Sequence, residues 1–303
     1  MNKVRPLVFI AILVTLFSCA KEYSEENLGA GNELIVGADC RISKIVYRDT
    51  SGMAGGGPGV GLGSIEAKIN NFDIVTPHIT QFDSIGNFII DRPAPVYSND
   101  SVFISADEYY IVDVNKRIIK SHLVVDITNP ASSQFDVFYV YNTSGYLIQK
   151  NYFSTTPPVG PFLRVDYTYT SPGNLTRMTA VDLPGGDLSM DADITYYSNV
   201  VARRFIYTFP DEMYYPSVTQ FFNFGARNFN VPKTMKVRNY DPGNIVRDSA
   251  VSAFSNYIIS RDGYVLSVQM GNPQPEATPP LTPSPQPSIP ALPGKLSFSY
   301  HCR

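Results

Sequence analysis

Tryptophan is absent from this 303-residue chain, and only three cysteines and three histidines occur in it. Charged residues make up 17%, against about a quarter in ordinary globular domains. The missing Trp removes the largest stacking surface for a sugar ring and weighs against a carbohydrate platform. No CxxC pair and no Cys/His spacing suits zinc. His78, His122 and His301 leave little acid–base capacity, and each reads as a solvated or hydrogen-bonded structural residue. A GxSxG elbow is also lacking, so nucleophilic hydrolysis has no signature here. The tightest basic group is the pair Arg203-Arg204, and the net charge is −3. A polyanion ligand needs a basic groove with many phosphate contacts, so nucleic acid is set aside as a partner.

No stretch of helical length shows a 3.6-residue apolar period, so helix is expected to be minor. What is present is 20 Tyr and 18 Phe among many Val and Ile. That content gives enough apolar area to order a chain, and it does not fit a coiled coil. Period-2 alternation marks strands at 40–47, 65–69, 101–105, 116–127, 135–141, 163–169, 194–209, 256–260, 265–270 and 296–300. Ser144-Gly145, Pro172-Gly173 and Asp262-Gly263 fall between apolar runs, where glycine admits a positive φ without a Cβ clash. The expected fold is all-β, an antiparallel meander of stacked hairpins.

Two segments interrupt the pattern. Residues 51–64 hold seven glycines; they match neither GxGxxG nor GK[ST], and they read as a hairpin tip. Residues 273–293 hold nine of the 24 prolines and are expected to be an extended or disordered insertion between the last two strands.

The N-terminus has the shape of an export signal, with Lys3 and Arg5 followed by an apolar run from Pro6 to Phe17 that is too short to span a bilayer. Leu16-Phe17-Ser18-Cys19 resembles the cleavage box of bacterial lipoproteins, although Phe17 replaces the small residue usual there. The resemblance implies a signal peptide at 1–18, lipidation of Cys19, and a membrane partner reached through that anchor. Residues 19–33 then form a tether, with Lys21 and three Glu close behind the cysteine, which looks like the surface-export tag of Bacteroidota lipoproteins. A plain solvated tether explains the same residues. Residues 34–303 form a single β-rich domain. Cys40 and Cys302 remain as an even pair in an oxidising compartment, either bridged across nearly the whole domain or buried as two thiols in neighbouring strands.

The most specific internal signal is a repeat. Tyr139, Tyr141, Gly145 and Leu147 recur as Tyr167, Tyr169, Gly173 and Leu175, each 28 residues on. Alternate Tyr residues face one side of a strand, Gly makes the turn, and Leu begins the return strand on the same side. Ile259 to Val265 is a degenerate third copy around Gly263. The spacing resembles the Tyr-Asp repeat of Rhs-type and teneurin-type proteins, and the layout is similar to lipoproteins of Bacteroidota that carry degenerate repeats. Further points of resemblance are the stretches 40–45, 224–233 and 298–302. The resemblance implies an exported envelope β protein, located at the outer membrane and facing the periplasm or the cell surface. It brings no catalytic residues.

Carboxylates supply the remaining chemistry. Asp187, Asp191 and Asp193 could face a calcium ion, but the EF-hand spacing is absent and a polar turn between strands explains them better. Tyr109-Tyr110, Tyr196-Tyr197 and Tyr214-Tyr215 could present rings to a glycan, yet adjacent residues of a strand point to opposite faces, so each pair offers one ring. No cofactor and no metal site is expected. The expected function is a non-enzymatic structural or binding module, its partner an envelope protein or a glycan. A carbohydrate-binding lipoprotein of a glycan-uptake system and a hydrolase are the alternatives.

Overall fold

Around Phe135 to Tyr141 the buried residues are Val137 and Tyr139, while Phe138 and Val140 are exposed. This one-sided alternation, repeated along the chain, produces a sheet with one face turned to a core. The computed structural model describes residues 40–48, 63–69, 75–82, 88–91, 96–98, 100–103, 108–124, 134–171, 173–211, 220, 222–271, 274–275 and 294–302. The signal segment, Cys19, the tether, the Gly-rich stretch 51–62 and most of the Pro-rich insertion lie outside them.

Eighteen strands occur among the described residues: β1 (Cys40–Arg48), β2 (Gly63–Ile69), β3 (Val75–Phe82), β4 (Phe88–Asp91), β5 (Val96–Tyr97), β6 (Ser101–Phe103), β7 (Glu108–Val112), β8 (Ile118–Val124), β9 (Gln134–Tyr141), β10 (Leu147–Ser154), β11 (Gly160–Thr170), β12 (Asn174–Asp182), β13 (Leu188–Val201), β14 (Asn230–Asp241), β15 (Ile245–Ile259), β16 (Val265–Met270), β17 (Gln274–Pro275) and β18 (Gly294–Cys302). The protein is all-β, and every strand pairing is antiparallel. From β5 to β16 each strand pairs with the next. β16 then pairs with β18, β18 with β1, and β1 with β2, from which β3 and β4 follow. The two ends of this order, β4 and β5, are neighbours in the chain. Five Cα steps from Asp91 to Val96 span at most about 18 Å, so the sheet curls back on itself like a barrel.

The chain ends meet in the middle of this order. Cys40 lies directly opposite Cys302 in the β1–β18 register, and a disulfide joins them. The Cys40 N–H donates to the Tyr264 hydroxyl at 3.0 Å, and the wholly buried Tyr300 donates to the Val265 carbonyl at 2.7 Å.

The concave side is filled from within. The strand expected over 194–209 leaves the sheet after Val201, and residues 202–211 and 222–229 cross the interior without regular structure. Phe205, Ile206, Tyr207, Thr208 and Phe209 are all buried, so no solvated face remains to give alternation. This plug contacts β7, β9, β11 and β18. Phe222 meets Tyr110, Phe224 meets Tyr139, Phe209 meets Tyr167, and Phe205 meets Phe298, with ring centroids 5.2, 5.3, 5.1 and 5.6 Å apart. Its backbone is tied down as well: the Ile118 N–H donates to the Asn223 carbonyl, the Ala226 N–H to the Gly145 carbonyl, and the Arg203 N–H to the Gly263 carbonyl. Asn228 Oδ1 accepts from the Leu175 N–H at 2.8 Å.

The repeated residues occupy equivalent places. Tyr139, Leu147, Tyr167 and Leu175 are buried on the concave side, Tyr141 and Tyr169 pack against the same core, and Gly145 and Gly173 make the turns with φ of +83° and +114°. At Gly145 the Asn142 side chain accepts from the N–H four residues on, at 3.0 Å. Ser260 does the same at the third copy. A fourth turn of this kind has no sequence signature: Asp113 Oδ1 accepts from the Arg117 N–H at 2.9 Å, and Lys116 takes the glycine position with φ of +61°.

Candidate functional site: an aromatic groove on the convex face

Residues that pair directly across a sheet share a face. Phe103 pairs with Tyr109, Tyr109 with His122, His122 with Asp136, and Asp136 with Phe153. These five residues form one row across β6, β7, β8, β9 and β10 on the convex side. The next row holds Lys120, Phe138 and Asn151. With strands spaced about 4.8 Å apart, the first row is about 19 Å long.

Rings and charges interlock along these rows. Tyr109 stacks on His122 at 5.0 Å and 19°, and Phe103 lies 5.7 Å from Tyr109. Phe138 and Phe153 meet edge to face at 6.1 Å and 88°, and Lys120 Nζ sits 5.4 Å from the centre of the Phe138 ring. Asp136 links the two rows: Oδ1 is 2.8 Å from His122 Nδ1 and Oδ2 is 2.8 Å from Lys120 Nζ. Partial burial opposes the charge of Asp136, but the hydrogen bonds from Lys120 and His122 outweigh it and hold the carboxyl below its ordinary value.

Phe103, Phe138 and Phe153 remain 39%, 40% and 37% exposed. An open groove of about 630 Å³ runs beside Phe138 and Phe153, lined also by Asp136, Asn151, Thr155 and Val159. A groove of this volume lies in the size range of small-ligand sites. Clustered exposed rings of this kind mark contact surfaces, whereas scattered ones need no explanation. The chemistry on offer is flat apolar faces beside an ionised acceptor, an amide and an ammonium.

Elsewhere the convex face carries charged groups. Asp191 and Asp193 lie on β13 rather than in a turn. Arg238 donates to Asp191 at 2.5 and 2.9 Å and to Asp193 at 2.6 Å, and Arg177 reaches Asp191 at 3.4 Å. The two hydrogen-bonded carboxylates raise the pKa of Arg238. These guanidiniums already neutralise Asp191 and Asp193, two of the three carboxylates that the sequence offered to calcium; the third, Asp187, lies in the turn before β13, where its carbonyl accepts from the Asp182 N–H at 2.9 Å. No metal-binding cluster occurs among the described residues. Arg164 and Asp166 pair at 2.9 Å on β11.

Other sequence-derived candidates separate. His301 pairs with Arg41 in the β1–β18 register and His78 lies on β3, so neither approaches the groove rows. Tyr110 is buried while Tyr109 faces outward, as alternation requires. Tyr196 and Tyr197 are spent on the carbonyls of Leu175 and Phe254. Tyr214 and Tyr215 lie outside the described residues. The exposed phenylalanines were missed by the sequence reading, although their offset by one from buried Val137 and Tyr139 was the available signal.

No family model matches this chain, and no curated protein matches it. Among solved structures, a porin-like protein from Bacteroides uniformis matches with a TM-score of 0.54 and 12% identity, over 86% of this chain and 98% of that one. A porin-like protein from Bacteroides vulgatus matches with a TM-score of 0.49 and 11% identity, over 86% of this chain and 99% of that one. The first of these shows that the β fold of this chain is shared; at this identity the likeness is one of fold alone.

Proposed function

We propose that this protein is a non-enzymatic binding module of the cell envelope, and that its ligand surface is the groove of Phe138 and Phe153. The observation that carries this reading is the double row of exposed rings around Asp136. The lipobox-like segment at Cys19 and the fold shared with a porin-like protein from Bacteroides uniformis support the location, with the lipid anchor holding the domain at the outer membrane.

A transmembrane pore is disfavoured by two features. The interior is occupied by the aromatic plug, and the convex face carries Arg164, Asp166, Arg177, Asp193 and Arg238. A lipid-facing band would place these charges in hydrocarbon, at a cost of about 2–4 kcal/mol for each Arg or Lys at mid-depth. Catalysis is disfavoured too. Asp136 meets His122 at Nδ1, as in a triad, but among the described residues no hydroxyl is hydrogen-bonded to the other ring nitrogen, and Tyr109 covers the ring.

The ligand class that fits is carbohydrate. A sugar presents apolar C–H faces that lie on aromatic rings, and hydroxyls that both donate and accept. Asp136 accepts, Lys120 donates and Asn151 does both. The 19 Å row suits an oligosaccharide laid across the strands. Screening the purified domain on a glycan microarray tests the reading. Retention of defined glycans by the wild type and their loss in Phe138→Ala supports it, while equal retention by both, or none by either, refutes it.

A further inference from the structure

Lys150 lies on β10 with its side chain turned into the barrel and wholly buried. Its Nζ stands 2.9 Å from Oδ2 of Asp211, a plug residue 61 positions along the chain. The rings of Tyr139, Tyr167 and Phe209 surround the nitrogen at 6.0, 5.5 and 5.1 Å. The Tyr167 hydroxyl donates into the Asp211 carboxylate, 2.8 and 2.9 Å from its two oxygens. A primary amine, a carboxyl group and a hydrogen-bond donor aimed at that carboxyl therefore meet in an aromatic enclosure.

We propose that Lys150 and Asp211 condense to an intramolecular amide that fixes the plug to the sheet. Withdrawing an ammonium and a carboxylate from water carries a desolvation penalty that their attraction returns only in part. The two species that react are the neutral amine and the neutral acid, which one proton transfer across this contact produces. A proton passes from Nζ to Oδ2 along the 2.9 Å hydrogen bond. The nitrogen lone pair then adds to Cγ, and the negative charge developing on Oδ1 is met by the Tyr167 hydroxyl. Oδ2 takes a second proton from the nitrogen and departs as water. One C–N bond forms, one C–O bond breaks, one water leaves, and nothing is oxidised or reduced.

Two features favour the forward direction. The partners are held together by the fold, and effective molarities for such pairs reach about 10⁵–10⁸ M. The product buries an amide in place of two charges. Tyr167 belongs to the 28-residue repeat, so the residue that packs one hairpin also touches the reacting carboxyl.

Intact-mass spectrometry of the full chain, after reduction of the disulfide, tests the proposal without any variant. The expected mass is lower than that of the unlinked chain by one water, with a branched tryptic peptide joining the segments of Lys150 and Asp211. Lys150→Arg should carry the full mass whether or not it folds well, and Tyr167→Phe should give a mixture of linked and unlinked chains. A wild-type mass with no water missing overturns the proposal. So does a water loss that persists in Lys150→Arg or maps to other residues.

Discussion

Gly225 of the plug packs against Gly145 at the turn between β9 and β10, so closely that a Cβ on Gly225 would run into the Gly145 carbonyl oxygen. The contact joins the plug to the first repeat turn, where the Ala226 N–H donates to that same carbonyl at 2.8 Å. Gly225 also holds a φ of +87°. Gly225→Ala should therefore lose stability twice, through backbone strain and through displacement of the plug, by about 1–3 kcal/mol or more. Gly243→Ala provides the comparison, because Gly243 has a φ of +82° but nothing within 4 Å. Urea unfolding should place Gly243→Ala between the wild type and Gly225→Ala. Equal midpoints for the two variants would contradict the plug contact.

Lys116 invites the opposite change. It occupies the left-handed position that Gly145 and Gly263 fill in equivalent turns. A left-handed L-residue costs about 1–2 kcal/mol, partly offset by the greater unfolded-state freedom of glycine. Lys116→Gly should stabilise the domain by about 0.5 kcal/mol, read as a higher urea midpoint at unchanged slope.

The bond between Cys40 and Cys302 closes a loop with a sequence separation of 262. Chain-entropy models give loops of 100 residues or more about 5 kcal/mol as an upper figure. Cys302→Ser, or reduction of the wild type, should lower the melting temperature, and the two should converge on the same value.

Acid should remove the stabilisation that the Asp136 and Asp113 carboxylates supply. The folded carboxyl of Asp136 titrates below its ordinary 3.8, so its contribution is fully present above that pH and is lost as pH falls through the lower folded value. Asp113 is depressed in the same way: burial opposes it, and hydrogen bonds from Arg117 and Asn115 prevail. Stability should be flat above about pH 5 with respect to these groups and should fall below about pH 4. Asp136→Asn should flatten that acid limb.

The all-β class, the hairpin order and the repeat turns were legible in the sequence because Tyr139, Gly145 and Leu147 each carry a local physical reason for their place. The fourth turn was not, since Lys116 breaks the glycine signature and only the Asp113 side chain keeps the geometry. The plug was mistaken for strand because Phe205, Tyr207 and Phe209 alternate with Ile206 and Thr208 in a pattern that looks β-like until every residue proves buried. The groove has no such local signature, because adjacent tyrosine pairs mark no face of their own. Its rings are phenylalanines on the outward parity of β9 and β10, and they come together only through the register of that hairpin.

Isothermal titration of a glycan retained on the array, comparing the wild type with Phe138→Ala/Phe153→Ala, tests the binding reading most directly. Both rings are about two-fifths exposed and pack edge to face, so their removal should lower the melting temperature while the domain stays folded at the titration temperature. The expected result is at least a tenfold loss of affinity in the folded variant, equivalent to about 1.4 kcal/mol. Unchanged affinity in the double variant would contradict the groove as the ligand surface.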